Sequence, residues 1–257
     1  ELLMTRGDIP QSIIVGVPFT SAQWFSNVVG NAEPFRHYLI DELTPYINDN
    51  YRTLNNRLLV GQSYSAVFVI NALTKSPTSF SNYVAIEPVL ASGAMENAIK
   101  NYQNISVAEA NLHIIMGGAI MLHEAETLLS AIQKANIENL HVRFETFGSE
   151  SHSSAYYPAL NSALRKHFSD YRQPDIDAIL SANIGYQQLL NYYQKRTEKY
   201  QVPVTDKELQ SAIFDTLFNY LKAQKFEQAF ALWPKWQSPY KSYNANRIIN
   251  HFFRTKD

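Results

Sequence analysis

The sequence predicts an α/β fold in which helices cover both faces of a mostly parallel central sheet, followed by a small all-helical extension. Short runs of β-branched and apolar residues alternate with longer segments of helical periodicity over most of the chain, a rhythm typical of parallel sheets. At residues 57–73 one such run leads through a tight turn directly into an apolar helix. Beyond residue 171 the pattern contains helices only.

Strands and helices alternate along the first part of the chain. The first predicted strand is Ser12–Val17, and a helix over Glu33–Asn50 follows it, in which Pro45 is expected to kink or tighten the last turns. The later predicted strands are Arg57–Val60, Tyr83–Ile86, Leu112–Met116 and Val142–Phe147. The later predicted helices are Ala66–Leu73, Ala94–Asn101, Glu124–Ala135 and Ala155–Phe168.

A short polar connection at Tyr171–Asp175 marks the predicted domain boundary. We expect an α/β domain over residues 1–170 and a helical extension over residues 171–257. The extension is predicted to contain three amphipathic helices, Ile184–Tyr200, Asp206–Ala223 and Phe226–Trp233. A homodimer contact or a protein partner, if there is one, is expected on this extension.

Composition excludes several classes of function. The chain has 257 residues, of which 46% are apolar and 18% are charged, enough for one large domain and a small appendage. A formal net charge of -1 gives no field that attracts nucleic acid or an anionic membrane. The absence of cysteine excludes disulfides and thiolate chemistry. No apolar run approaches the length of a membrane helix, so we expect a soluble protein, cytoplasmic or periplasmic.

Gly61-Gln62-Ser63-Tyr64-Ser65 is the segment most indicative of chemistry. A nucleophile elbow places a serine on a strained turn between a strand and a helix, with small residues two positions before and after it. Gly61 fits this pattern, whereas Ser65 replaces the usual second glycine. We predict that Ser63 is a nucleophile and that the backbone N–H of Tyr64 is one oxyanion donor.

A serine nucleophile needs a base, and His152 is the best placed of the seven histidines. It lies in a polar loop after a predicted strand and before the closing helix, and such a base comes last along the chain. His113 falls within a strand and is expected to be a packed or an edge residue there. For the acid that orients the base, Glu124 is the first candidate, Glu126 the second and Glu150 the third; a Ser–His dyad without an acid is the alternative.

These motifs resemble the putative esterase family of α/β-hydrolases, which includes esterase D-like enzymes and bacterial hydrolases similar to the enterobactin and salmochelin esterases. The resemblance rests on motifs spread over residues 10–168, which include Val60-Gly61-Gln62-Ser63-Tyr64. More specific than this elbow segment alone are Asp41-Glu42-Leu43-Thr44-Pro45-Tyr46-Ile47 and Glu150-Ser151-His152-Ser153. It implies an α/β-hydrolase fold and ester hydrolysis through an acyl-enzyme, with no metal or organic cofactor. It also implies that serine and histidine act with little help from an acid. The extension resembles a degenerate tetratricopeptide-like helix pair around Phe214–Leu232.

Three departures from the family are visible. Ser65 stands where the family has glycine, and Ile86-Glu87-Pro88 stands where relatives read Ser-Pro-Ser. The first strands and an oxyanion loop, which the family has before Ile13, have no counterpart here, and we expect that segment to have been removed or to be disordered. Trp24, Phe25 and Tyr64 are candidates to line an apolar pocket, while a catecholate site would require several arginines. Only Arg52 and Arg57 are near the elbow in sequence.

Two other functions remain open at this stage. An inactive esterase-like domain that binds a partner through its helical extension would fit Ser65 and the weak acid signal. Acyl transfer or amide hydrolysis would use the same nucleophile and base, because the acceptor depends on which molecules reach the acyl-enzyme.

Overall fold

The computed structural model describes residues 1–18, 31–90, 93–103, 105–107, 109–118, 121–172 and 175–236. The strands are β1 (Leu58–Gln62), β2 (Asn82–Ile86), β3 (Ala110–Met116) and β4 (Leu140–Thr146). The helices are α1 (Leu2–Thr5), α2 (Glu33–His37), α3 (Thr44–Asn50), α4 (Tyr64–Lys75), α5 (Ala94–Tyr102), α6 (Leu122–Ala135), α7 (Tyr156–His167), α8 (Ile176–Ala182), α9 (Tyr186–Tyr200), α10 (Asp206–Lys222) and α11 (Phe226–Leu232). A π-helical stretch, Tyr38–Leu43, joins α2 to α3, and a 3₁₀ turn, Trp233–Lys235, follows α11.

The four strands form one parallel sheet in the order β1-β2-β3-β4. Gln62 at the end of β1 pairs with Ile86 of β2, which pairs with Ile115 of β3. Met116 of β3 pairs with Thr146 of β4. The carboxyl ends of all four strands therefore meet at one edge of the sheet, and the predicted α/β architecture is confirmed.

Side chains alternate between the two faces of the sheet, and each face has its own core. On one face Tyr83, Ala85 and Ile114 belong to a buried cluster with residues of α4, α5 and α6. On the other face Val84, Ile86 and Ile115 belong to a cluster with Ala159 and Ala163 of α7. Strands covered on both sides are buried along their whole length, which is why β2 reads as a continuous apolar run.

The helix before β1 widens where a tighter turn was expected. The backbone N–H of Thr44 donates to the carbonyl of Leu39, five residues earlier, within the π-helical stretch. Pro45 has no N–H, and in an ordinary helix its ring would collide with the carbonyl four residues earlier. A wider turn before the proline relieves this collision and lets the helix continue through α3.

The predicted strand Ser12–Val17 is wrong. Residues 11–18 have no regular secondary structure, and Ile14 is 79% exposed. A strand is stable only when its backbone pairs with a neighbour, and no strand in the described residues pairs with this segment. The alternation of apolar residues identified a sequence suited to a strand but not a partner for it.

The chain divides into two compact units, one comprising residues 13–166 and the other comprising residues 1–12 together with the residues from 167 onward. The second unit contains the predicted helices as α9, α10 and α11, and also α8, which the sequence analysis missed. Asp175 caps α8 by accepting a hydrogen bond from the N–H of Ala178. The boundary at residues 170/171 stays a prediction, because compactness does not show which segments fold independently. No described helix has both the length and the apolar character that a membrane span requires.

His113 makes the stability of the α/β unit depend on pH. Its ring is buried in β3, with Nε2 3.2 Å from Oε2 of Glu145 in β4, an oxygen that also lies 2.6 Å from Nζ of Lys166. Burial lowers the pKa of His113, the nearby Glu145 carboxylate opposes this, and the charges of Lys166 and Arg143 add to the lowering. The folded state therefore binds fewer protons than the unfolded state below the ordinary pKa of histidine.

We expect the free energy of unfolding to fall as the pH is lowered from 7 to 5, because unfolding then releases His113 to take up a proton. The same holds for His167, for which burial lowers the pKa to about 4. Urea titrations followed by circular dichroism at pH 5, 6 and 7 measure this slope. His113→Gln should reduce it, whereas His123→Gln, at an exposed position of α6, should not. An unchanged slope in His113→Gln would contradict the assignment.

Candidate active site

Ser63 occupies a strained turn between β1 and α4. Its φ of 61° and ψ of -125° lie in a region that residues other than glycine rarely adopt. The backbone N–H of Ser63 donates to the carbonyl of Ile86 in β2 at 2.9 Å, and its carbonyl accepts from Ala66 in the first turn of α4 at 3.0 Å. The turn is thus tied to the sheet on one side and to the helix on the other, as a nucleophile elbow requires.

Gly61 is required by the closeness of α4 to β1. A Cβ at this position would lie 2.3 Å from the carbonyl oxygen of Ser65 and 2.9 Å from Cγ2 of Val69. The other small position, Ser65, is half-buried, so the turn accommodates its hydroxyl despite the departure from glycine. Tyr64 begins α4 directly after the serine, which puts its backbone N–H at the positive end of the helix dipole.

His152 lies in the loop between β4 and α7, and its Nε2 is 3.1 Å from Oγ of Ser63. The loop is held by its own serines: the N–H of Ser151 donates to Oγ of Ser154 at 2.8 Å, and the N–H of Ser154 donates to Oγ of Ser151 at 3.2 Å. Gln62 also donates from Nε2 to the carbonyl of His152 at 2.9 Å. The residue next to the serine therefore anchors the loop that carries the histidine.

Glu87 follows β2 directly, and its carboxylate contacts the other nitrogen of the same ring. Oε2 of Glu87 is 3.2 Å from Nδ1 of His152, and the glutamate side chain is only 2% exposed. Oε1 accepts a hydrogen bond from the backbone N–H of Gly117, which follows β3. The backbone of Glu87 has a positive φ of 51°, and its N–H donates to the carbonyl of Ile115 at 2.8 Å.

The side chain of Glu87 fills the space that a side chain at position 117 would need, so only glycine fits there. A Cβ on Gly117 would lie 2.6 Å from Oε1 of Glu87 and 2.8 Å from Cβ of Ala155. Burial raises the pKa of the Glu87 carboxyl, and the hydrogen bond and charge of His152 act in the opposite direction. The contact with His152 therefore favours the ionised form of this carboxyl, against the effect of burial.

The structure places the sequence candidates for the acid elsewhere. Glu124 lies in the first turn of α6, Glu126 is exposed on the same helix, and Glu150 precedes the histidine by two residues. The carboxylate that contacts His152 is that of Glu87. Sequence reasoning missed it because the acid was sought in the loop after β3. The available signals were its place at the end of a predicted strand and the departure from the family at Ile86-Glu87-Pro88.

A pocket of about 310 Å³ opens beside the histidine. Glu87, Pro88, Val89, Met121 and His152 line it, so its walls are largely apolar away from the glutamate and the histidine. Two of the aromatic candidates, Trp24 and Phe25, lie outside the described residues, and Tyr64 is exposed.

One of the two arginines near the elbow in sequence lies at the other end of β1. Arg57 precedes β1 and so lies at the edge of the sheet opposite Ser63, where it donates to the carbonyl of Ser79. The described residues contain no cluster of three or more side chains that could hold a metal ion.

Comparison with known proteins identifies the family. The sequence profile of the Putative esterase family matches residues 2–165. The chain belongs to this family. It is a carboxylic ester hydrolase by that membership, and the resemblance noted from its motifs is confirmed. No curated protein sequence is significantly similar to the chain.

Two solved structures share the fold. An IroE-like serine hydrolase from Shewanella oneidensis gives a TM-score of 0.57 at 20% identity, with 89% of this chain and 74% of that chain covered. An uncharacterised protein from Capnocytophaga ochracea gives a TM-score of 0.63 at 19% identity, with 86% of this chain and 69% of that one covered. At these identities the likeness establishes a common α/β-hydrolase architecture.

Gly61→Ala tests the elbow geometry. The added methyl group would meet the Ser65 carbonyl, so the first turn of α4 must shift and carry the serine hydroxyl away from His152. We expect ester hydrolysis to fall by about 10²-fold or more, as a displacement of about 1 Å can cost that much. Gly16→Ala is the matched control, because no atom of the described residues lies within 4 Å of its added Cβ. Wild-type rates in Gly61→Ala would refute the packing argument.

Proposed function

We propose that this esterase acts through an acyl-enzyme, with Ser63 as nucleophile and His152 as general base. The observation that carries the proposal is the 3.1 Å distance between Oγ of Ser63 and Nε2 of His152. That is the hydrogen-bond distance across which a base takes the proton of an attacking hydroxyl. The strained backbone of Ser63 supports the same roles, since it presents the hydroxyl above the carboxyl edge of the sheet.

Each proton has a defined path in this mechanism. Oγ of Ser63 attacks the ester carbonyl carbon while its proton passes to Nε2 of His152, giving a tetrahedral oxyanion and an imidazolium. The imidazolium then returns the proton to the leaving alcohol as the C–O bond breaks, which leaves an acyl group on Ser63. Water then attacks the acyl carbonyl while its proton passes to the same nitrogen. As the bond between the carbonyl carbon and Oγ breaks, the imidazolium returns this proton to Oγ, which releases the carboxylic acid and the free serine.

Tyr64 is proposed to supply one oxyanion donor through its backbone N–H. The oxyanion develops next to Ser63, and Tyr64 is the first residue of α4, so negative charge there would meet the positive end of the helix dipole. The side chain of Tyr64 is exposed and takes no part in this role.

The substrate is proposed to be a small ester with an apolar acyl or aryl group. Pro88, Val89 and Met121 would contact that group in the 310 Å³ pocket, which is at the small end of the usual range for ligand sites. The resemblance of the motifs to the enterobactin and salmochelin esterases makes a siderophore-type ester one candidate. Such a ligand would place one part in the pocket and the remainder outside it.

Ser63→Ala and His152→Ala should each reduce hydrolysis of short-chain p-nitrophenyl esters by at least about 10⁴-fold, because either change removes the shared proton-transfer unit. His123→Ala, an exposed histidine outside the site, is the matched control. A fluorophosphonate probe should label the wild type at Ser63, identified by mass spectrometry, and should leave Ser63→Ala unlabelled. Circular dichroism confirms that the variants are folded.

Retained activity or labelling in Ser63→Ala would refute the proposed nucleophile. A folded wild type that neither reacts with the probe nor hydrolyses any ester would instead favour a binding role, with the helical extension as the surface to investigate. Faster product formation with an added alcohol or amine acceptor would indicate acyl transfer.

Val89 is predicted to limit the length of the acyl group. Val89→Trp should fill the pocket and lower kcat/KM for p-nitrophenyl hexanoate by about 10-fold or more, because lost apolar contacts of this size are worth about 1–3 kcal/mol. The acetate ester, which does not need the space, serves as the internal control and should change little. Val89→Ala should shift the preference in the opposite direction. Parallel losses for both esters would show that the group binds elsewhere.

A further inference from the structure

Gln62 is the last residue of β1 and directly precedes Ser63. Nε2 of its side chain donates to the backbone carbonyl of His152 at 2.9 Å. We propose that Gln62 is a positioning residue, whose amide holds the backbone of His152 where the imidazole ring reaches Oγ of Ser63. This role rests on the proposed function, in which Ser63 is the nucleophile and His152 is the base.

The pleat of β1 places Gln62 at the end of an apolar row. Side chains alternate along a strand, and position 61 faces α4, because a Cβ on Gly61 would lie 2.3 Å from a backbone oxygen of that helix. Gln62 therefore shares the opposite face with Leu58 and Val60, which pack into the cluster that α7 covers. An amide that is half-buried there needs a hydrogen-bond partner, and the carbonyl of His152 is that partner.

Polar contacts rather than burial hold the loop that carries His152. Residues 148, 149, 151, 153 and 154 are exposed, and the side chain of His152 is itself 37% exposed. The hydrogen bonds between Ser151 and Ser154 fix the shape of the loop from within. The amide of Gln62 ties that shape to β1, so it determines where the loop lies relative to the nucleophile.

The loop also lies close to the end of β3, but that contact is of a different kind. A Cβ on Gly117 or on Gly118 would be 3.2 Å from the backbone carbonyl of Glu150. Close packing of this sort limits how near the loop can come to the sheet. A hydrogen bond resists movement in the other direction, so loss of the Gln62 amide should let the loop move away.

Gln62, Ser63 and His152 are joined in a closed cycle. A peptide bond links the first two, the Gln62 amide binds the backbone of His152, and Nε2 of the imidazole lies 3.1 Å from Oγ of Ser63. A displacement of about 1 Å between reacting groups can lower a rate by about 10²-fold. Other residues of the described chain line the pocket, so the loss should fall on kcat rather than on KM.

Two substitutions separate the hydrogen-bond donor from the size and the polarity of the side chain. Gln62→Leu has a similar volume and suits the apolar row of β1, but it has no N–H to donate. Gln62→Glu keeps the shape and the polarity. Its ionised carboxylate can only accept hydrogen bonds, so it repels the carbonyl of His152.

The experiment measures hydrolysis of p-nitrophenyl acetate at pH 8 by the wild type, Gln62→Leu, Gln62→Glu and Ser63→Ala. We expect kcat to fall by about 10- to 10²-fold in both Gln62 variants, with KM within about threefold of wild type. Gln133→Leu and Gln133→Glu, at an exposed position of α6, are the matched controls and should keep wild-type kcat. Circular dichroism confirms folding, and Gln62→Glu carries the comparison if Gln62→Leu does not fold.

A double-mutant cycle tests whether Gln62 acts through His152. Without the base the position of its loop no longer matters, so adding Gln62→Leu or Gln62→Glu to His152→Ala should change the residual rate by less than about twofold. That residual rate is measured as labelling of Ser63 by a fluorophosphonate probe. A glutamine that only stabilised the fold or bound substrate would give the same fold-loss in both backgrounds.

Three results would overturn the positioning role of Gln62. They are a folded Gln62 variant with kcat within about twofold of wild type, a loss confined to KM, and equal fold-losses with and without His152. In each case an inactive Ser63→Ala leaves the proposed function standing. Wild-type activity in Ser63→Ala would remove the proposed function and the role of Gln62 together.

Discussion

The parallel register of β1 to β4 is the constraint on which the candidate site depends. Ser63 follows β1, Glu87 follows β2, Gly117 follows β3 and the loop of His152 follows β4, so all four lie along one edge of the sheet. Neighbouring strands are about 4.8 Å apart, which is within reach of one side chain or one hydrogen bond. If any of these strands ran the other way, its residue would lie at the far edge and the contacts would be lost.

Two strained residues stand at this edge, and the sheet holds both in the same manner. Ser63 and Glu87 have positive φ values of 61° and 51°, conformations that cost about 1–3 kcal/mol each for residues other than glycine. Each donates its N–H to the last residues of the adjacent strand, Ser63 to Ile86 and Glu87 to Ile115. Burial of the residues on both faces of the sheet offsets these costs, so the precision of the site depends on a well-packed core.

Local pattern predicted most of the fold, because strands and helices of this kind are encoded by short-range periodicity. The sequence also predicted the turn at Ser63, because Gly61 and the strand–turn–helix order both follow from close packing at that one turn. The segment Ser12–Val17 failed because a strand requires a partner, and alternation says nothing about pairing. Glu87 was missed because the loops that meet at the sheet edge depend on strand order and register, which single residues do not encode.

The position of Glu87 after β2 shows which feature of the site follows from chemistry and which is a matter of where a family places its residues. A carboxylate orients a histidine base when it lies within hydrogen-bond distance of Nδ1, and any strand whose carboxyl end lies within reach of the ring can supply it. β2 lies between β1, which Ser63 follows, and β3, which Gly117 follows. Glu87, directly after β2, reaches Nδ1 of His152 with one oxygen and the Gly117 amide with the other. The resemblance to enzymes whose serine and histidine act with little help from an acid therefore does not show whether an acid orients His152 in this chain. In this structure the buried carboxylate of Glu87 lies 3.2 Å from Nδ1 of His152, within reach of a proton carried on that nitrogen.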